Sequence, residues 1–245
     1  MSKPEVRPYN TGASKKEEVA QMFNNISPKY DLLNHTLSFG IDHLWRKRAI
    51  KELKKYRPKD ILDLATGTAD FAIAAAAVKP SKIDGVDISA GMLEVGRQKI
   101  KSKRLEKLIT LRLADGESLP YSANSFDAVT IAFGIRNYEH PERGLSEMHR
   151  ILRTDGAVFV LEFSKPQHFP VKQLYQFYFK NILPLIGRMV SSDQSAYSYL
   201  PESVDKFPHG EDFLSMLRTA GFKNCRAIPL TAGIASLYIG EKKNV

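Results

Sequence analysis

The chain has 245 residues, with 43% hydrophobic and 26% charged residues, enough for one large water-soluble domain with a substantial core. Its single cysteine, Cys225, excludes an internal disulfide framework, and its six histidines lack ligand spacing, so no metal site is expected. A formal charge of +9 admits RNA, an anionic membrane surface or plain solubility.

Residues 1–13 carry two prolines and little periodicity and are read as a flexible tail. They hold no apolar leader, and no apolar run approaches a membrane span, so the cytoplasm is the expected compartment. Lys15–Asn25 has a helical pattern with Val19, Met22 and Phe23 on one face; Tyr30–Asn34 and Asp42–Tyr56 follow, and residues 14–56 together are read as N-terminal helices forming a lid. An alternating unit then begins. Strands are predicted near 59–65, 82–87, 107–114, 125–132 and 156–163, with helices near 70–78, 90–102 and 141–152 between them. The run Arg97–Lys107 holds much of the local basic excess, at a helix end where cations suit the dipole; a solvated helix end is the plain reading. Val129–Phe133 and Val158–Leu161 are near-continuous apolar runs, as strands covered on both faces require.

An aromatic-rich insertion occupies 168–200, helical over 168–190 and interrupted by Pro184. A helix at 209–220 ends at Gly221, and strands near 222–230 and 233–241, joined by Thr231-Ala232-Gly233, read as a hairpin. No linker divides the chain, so residues 1–245 form a single domain. The fold expected is α/β: a mostly parallel seven-stranded sheet with an antiparallel last strand and helices on both faces, the Rossmann-like arrangement of class I methyltransferases.

The strand Ile61-Leu62-Asp63-Leu64-Ala65 runs into the small-residue turn Thr66-Gly67-Thr68-Ala69-Asp70, and Asp87 ends the next strand 20 residues after Gly67. Such a turn lets a ligand approach the backbone, and such an acid grips ribose hydroxyls, so the site suits an adenosine-bearing molecule. Alanines at the second and third glycine positions of a degenerate G-x-G-x-x-G weigh against a dinucleotide pyrophosphate and favour S-adenosylmethionine, which has no phosphate. Asp63 is placed to hold a ligand's ammonium, directly or through water, and Asp115-Gly116 to meet the adenine amino group.

Four segments together resemble the ubiquinone/menaquinone biosynthesis C-methyltransferase family: Tyr30-Asp-Leu-Leu-Asn34 through Ser38-Phe-Gly40 to Trp45; Leu62–Asp70; Phe133-Gly-Ile-Arg-Asn137; and Arg150–Gly156 with Leu161–Pro166. The second is common to many methyltransferases and the others are more specific. Ala69 stands where the family usually has glycine, which threatens to crowd the methionine part of the donor, and Ala132 stands where some members have serine.

The resemblance assigns Thr68, Asp87, Asp115 and Gly116 to donor binding, with Gly67 giving room for the methionyl portion. It implies demethylmenaquinol as acceptor, an isoprenoid quinol methylated at a ring carbon. A benzoquinol of ubiquinone biosynthesis, or another small molecule or RNA on the same fold, is the alternative. Ring carbon becomes nucleophilic when the neighbouring hydroxyl ionises, and Arg136 would favour that ionisation electrostatically, with Asn137 or Tyr30 holding a water that accepts the proton. The plainer role for Arg136 is an ion pair, for instance with Glu162.

Aromatics and cations interspersed over Phe169–Val190 suit a lipid interface or an isoprenoid groove, so transient membrane-surface contact is expected. Packing of the same residues onto the sheet is the alternative. Neither nucleic acid nor metal is expected as a partner, and a homodimer is left open. An NAD-dependent oxidoreductase is disfavoured by the turn alanines and the missing Tyr-x-x-x-Lys spacing; a non-catalytic ligand-binding protein on this fold is disfavoured by Asp87 and the Arg136-Asn137 pair.

Overall fold

The computed structural model describes residues 6–32, 38, 40–182 and 195–244. Expectations for Asn34, Phe39, Pro184 and the apolar residues at 183, 185 and 186 lie outside the described residues. The strands are β1 (Asp60–Leu64), β2 (Lys82–Asp87), β3 (Ile109–Leu113), β4 (Phe126–Ala132), β5 (Leu152–Phe163), β6 (Lys223–Leu230) and β7 (Ala235–Glu241), in the sheet order β3-β2-β1-β4-β5-β7-β6. Pairs from β3 to β5 are parallel, and β7 runs antiparallel to both β5 and β6. The order reverses between β1 and β4, and sheets of this kind open a ligand crevice at that point, above the carboxyl ends of the strands.

The described helices are α1 (Lys15–Ile26), α2 (Ile41–Leu53), α3 (Asp70–Ala75), α4 (Ala90–Ser102), α5 (Pro141–Ile151), α6 (Val171–Phe177), α7 (Ser195–Lys206) and α8 (Glu211–Thr219). Two apolar layers follow from the alternation of strand side chains. Ile61, Ile83, Ala128, Phe159 and Ile239 pack with Trp45, Ala49 and Leu53 of α2 and Phe71 and Ala75 of α3. Leu62, Val86, Val129, Val158 and Tyr238 pack with Leu145 and Met148 of α5 and Phe213 and Leu217 of α8. Helix α2, read as part of a lid, thus joins the core of one sheet face.

Ser14 caps α1 in a reciprocal box: it accepts from Glu17 N, and the Glu17 carboxylate accepts from Ser14 N at 2.9 Å. Buried Glu18 then gathers the backbone N–H groups of Tyr9, Asn10 and Thr11 at 3.1, 3.0 and 2.6 Å, so this part of the stretch read as a tail is held. Helix α7 was not anticipated. Pro201 inside it breaks the helical signal, yet Ala196 and Tyr199 bury against Val19 and Met22 of α1. Strand β5 begins earlier than expected because Leu152 pairs with Phe126 across a register shift.

Candidate functional site

The turn after β1 is unusual backbone. Ala65, Gly67 and Ala69 have φ of +46°, +55° and +66°, and only one of the three is glycine. Left-handed geometry costs an L-residue about 1–2 kcal/mol, so the turn needs support, and Asp63 supplies it. The hydroxyl of Thr66 donates to one Asp63 carboxylate oxygen and that of Thr130 to the other, both at 2.6 Å. Asp63 is fully buried, and burial lifts its pKa from 3.8 to about 6 against the opposing pull of these hydrogen bonds. A Cβ at Gly67 would meet no protein atom within 4 Å, so the room beside this glycine belongs to the crevice.

Asp87, at the end of β2, accepts from Gly67 N and from Ser89 N, each at 2.8 Å, one on each carboxylate oxygen. Each oxygen keeps a further lone pair for a ligand. Burial raises its pKa. After β3, Asp115 accepts from Glu117 N at 2.9 Å and forms an ion pair with Lys16 of α1 at 3.0 Å. Gly116 is required by close approach: a Cβ there would lie 1.9 Å from Tyr138 Oη.

After β4 the chain turns through Phe133, at φ +57°, into a 3₁₀ turn over Ile135–Asn137. Asn137 is buried; its amide donates to the Phe133 carbonyl at 3.4 Å, and its Oδ1 is enclosed with no hydrogen-bond partner. Arg136 turns toward Glu162, with Nη1 2.9 Å from Oε1, and also donates to the Phe133 carbonyl. Its guanidinium lies 5.3 Å from the centre of the Phe163 ring. Burial raises the Glu162 pKa and the Arg136 charge opposes that rise.

Helix α1 roofs these strand ends. Lys15 donates to the Tyr138 carbonyl at 2.7 Å, and Asn24 Oδ1 accepts from Ser89 Oγ at 2.8 Å and Gly91 N at 2.9 Å. Tyr30 meets Phe23 edge-on, with ring centres 6.0 Å apart. Between roof and strands lies a cleft lined by Lys16, Val19 and Phe23 of α1 on one side and by the ends of β1, β2, β3 and β4 on the other. Of the residues singled out in the sequence, Tyr30, Gly67, Asp87, Asp115, Gly116 and Asn137 line it. Asp63, Thr68 and Arg136 are not among its lining: Asp63 braces the turn, Arg136 pairs with Glu162, and the Thr68 hydroxyl donates to Asp31 at 2.6 Å. Ala69 is also outside the lining, fully buried beside Gly96 of α4, so its methyl does not crowd the cleft. Lys16, Asn24 and Tyr138 went unnoticed in the sequence, because their partners are 65 to 123 residues away and leave no local signal.

The family model described as ubiE/COQ5 methyltransferase family matches residues 11–242. A demethylmenaquinone methyltransferase of Bacteroides fragilis is 47% identical over 238 residues, covering 97% of each chain. A ubiquinone/menaquinone biosynthesis C-methyltransferase of Geotalea uraniireducens is 47% identical over 230 residues, 93% of this chain and 97% of that one. Among solved structures, a SAM-dependent methyltransferase of Thermotoga maritima superposes with a TM-score of 0.65 at 20% identity, covering 91% of this chain and 99% of that one. The last similarity speaks for the fold.

Proposed function

The chain belongs to the ubiE/COQ5 methyltransferase family, and we propose on that premise that it transfers a methyl group from the sulfonium of S-adenosylmethionine, which leaves as the neutral thioether, to a ring carbon of a demethylmenaquinol, which loses its hydrogen as a proton, giving the menaquinol. The observation that carries this reading is the convergence of Gly67, Asp87, Asp115 and Asn137, from four separate strand ends, on one cleft. S-adenosylmethionine supplies an electrophilic methyl group on a sulfonium. Asp87 takes the ribose hydroxyls on the lone pairs that Gly67 N and Ser89 N leave open. Asp115 accepts from the adenine amino group, and the open side of Gly67 receives the methionyl portion. Asp63 acts from behind the turn, and Thr68 through Asp31.

At the other end, Asn137 offers its buried, unpartnered Oδ1 to the quinol hydroxyl or to a water that takes its proton; Tyr30 bounds the same space. Arg136, fixed by Glu162, contributes positive charge beside Asn137 that favours the phenolate. The test is incubation of the protein with labelled S-adenosylmethionine and reduced demethylmenaquinone, with product mass as readout; no mass gain refutes the reading. A reduced demethylated benzoquinone runs in parallel, because one relative's name couples both quinones.

The acceptor's apolar tail gives the aromatic insertion a role. Phe169, Leu174 and Phe177, on and beside α6, are 80%, 65% and 59% exposed, with Lys172 exposed among them. Among the described residues no helix is long and apolar enough to cross a membrane. We therefore assign transient contact with a bilayer surface, from the cytoplasmic side, to this segment. Cosedimentation with anionic vesicles at low and high salt reads it, and no association in either condition refutes it. The homodimer left open by the sequence is read by sedimentation equilibrium.

A further inference from the structure

Lys99 belongs to a basic run that reads as solvated helix, but its side chain is only 22% exposed, whereas that of Arg97 is 51% exposed. Its ammonium has three protons to donate and three acceptors, one beside Tyr30 and two in the turn after β1. They are Asp31 Oδ2 at 2.7 Å, Thr68 Oγ1 at 3.1 Å and Asp70 Oδ1 in close contact. Thr68 in turn donates to the second Asp31 oxygen at 2.6 Å. Asp70 also lies 3.5 Å from Arg46 of α2, which pairs with Asp42, and Asp42 accepts from Ser38 Oγ at 2.6 Å.

Charges therefore alternate along Asp31, Lys99, Asp70, Arg46 and Asp42. The chain of contacts grips residues 31 and 38, which flank the connection between α1 and α2. Asp31 follows Tyr30, which lines the cleft, and Thr68 follows Gly67, which also lines it. The two walls of the cleft thus meet, through their neighbours, on one ammonium. Without it, Asp31 and Asp70 lose their shared cation, and three aspartates are left with Arg46 as the cluster's single cation.

We propose that Lys99 is a positioning residue for methyl transfer: it clamps the segment that carries Tyr30 to the turn that carries Gly67 and Thr68. Donor binding at that turn and the placement of Tyr30 are then coupled, because both depend on the same clamp. The functional consequence rests on the reading of the cleft as the donor and acceptor site; the clamp itself is tested independently of it.

The experiment compares wild type, Lys99→Met, Lys99→Arg and Tyr30→Phe by hydrogen exchange, donor titration calorimetry and steady-state kinetics. In Lys99→Met, amides of 30–32 are expected to exchange about ten-fold faster, with the strands unchanged. Turnover falls about 10- to 100-fold, as for a displaced positioning group, donor affinity changes only a few-fold, and Lys99→Arg restores most of the rate. Unchanged exchange at 30–32 overturns the clamp whatever the activity does. Faster exchange with unchanged turnover overturns the positioning role. If Lys99→Met fails to fold, Asp31→Asn, which keeps the shape and removes a charge, is judged by the same criteria. Failure of wild type to bind the donor, or full activity in Tyr30→Phe, counts against the reading of the cleft and leaves the exchange measurement decisive for the clamp.

Discussion

Arg136 has two claims on it, and a pair of substitutions separates them. Its side chain is 8% exposed and that of Glu162 1%, so Arg136→Ala strands a buried carboxylate. Removing one partner of such a pair costs about 3–5 kcal/mol, and losing the cation over Phe163 adds about 1 kcal/mol. That is a large share of a stability of about 5–15 kcal/mol, so lost activity in the single variant has two explanations. Arg136→Met/Glu162→Met removes both charges and keeps the volume, and it is expected within about 2 kcal/mol of wild type. Urea unfolding of wild type, both single variants and the double variant gives the stability cycle. Methyl transfer is then normalised to the donor-binding fraction from calorimetry. If the guanidinium assists ionisation of the quinol, the double variant folds, binds the donor within a few-fold of wild type and still loses at least about 100-fold in turnover. Turnover near wild type in the double variant would falsify an electrostatic role. A cost below about 1 kcal/mol for Arg136→Ala would overturn the account of the buried pair.

Gly116→Ala drives a methyl group to 1.9 Å from Tyr138 Oη, so it should destabilise the protein by about 1–3 kcal/mol and weaken donor binding. Shortening the obstacle with Tyr138→Leu should recover part of the binding; calorimetry that finds the single variant unimpaired refutes the close approach. Asp63 titrates in the folded protein at about 6, above its ordinary 3.8, so the folded state binds the proton more readily and the ionised form costs stability at neutral pH. As the pH falls from 7.5 to 4, wild type should gain about 2 kcal/mol relative to Asp63→Asn, with the remainder of the shift, at about 1.36 kcal/mol per pH unit, appearing only below the unfolded value. A difference in urea stability that stays flat across that range sinks the assignment. Ala69→Gly relieves a left-handed alanine but removes a buried methyl, two effects of about 1 kcal/mol that oppose. Donor affinity should therefore stay unchanged, and a clear gain in calorimetry would mean that the methyl does reach the cleft.

Local chemistry wrote much of this protein into its sequence. Apolar runs such as Val129–Phe133 announce strands covered on both faces, and β4 duly lies at the centre of the sheet. The Gly67 turn, Asp87 and Asp115-Gly116 follow strand ends, and parallel strands carry their following turns to one edge, so their meeting was legible from the alternation of elements alone. The direction of a side chain was not. Asp63 sits where a ligand contact was expected, but Thr66 and Thr130 capture it; for Arg136 the sequence left a ligand contact and an ion pair with Glu162 both open, and the fold makes the pair. Helix α7 escaped notice because its burial comes from α1, some 175 residues earlier in the chain, and Pro201 blurs its period. Lys99 looked like any solvated lysine until Asp31 and Asp70 were folded against it. Sequence determines the order of elements and the residues at their ends, since propensity, alternation and turn chemistry act between near neighbours. Which charge finds which partner is decided by packing alone, because a buried charge must be matched by whatever the fold brings within reach.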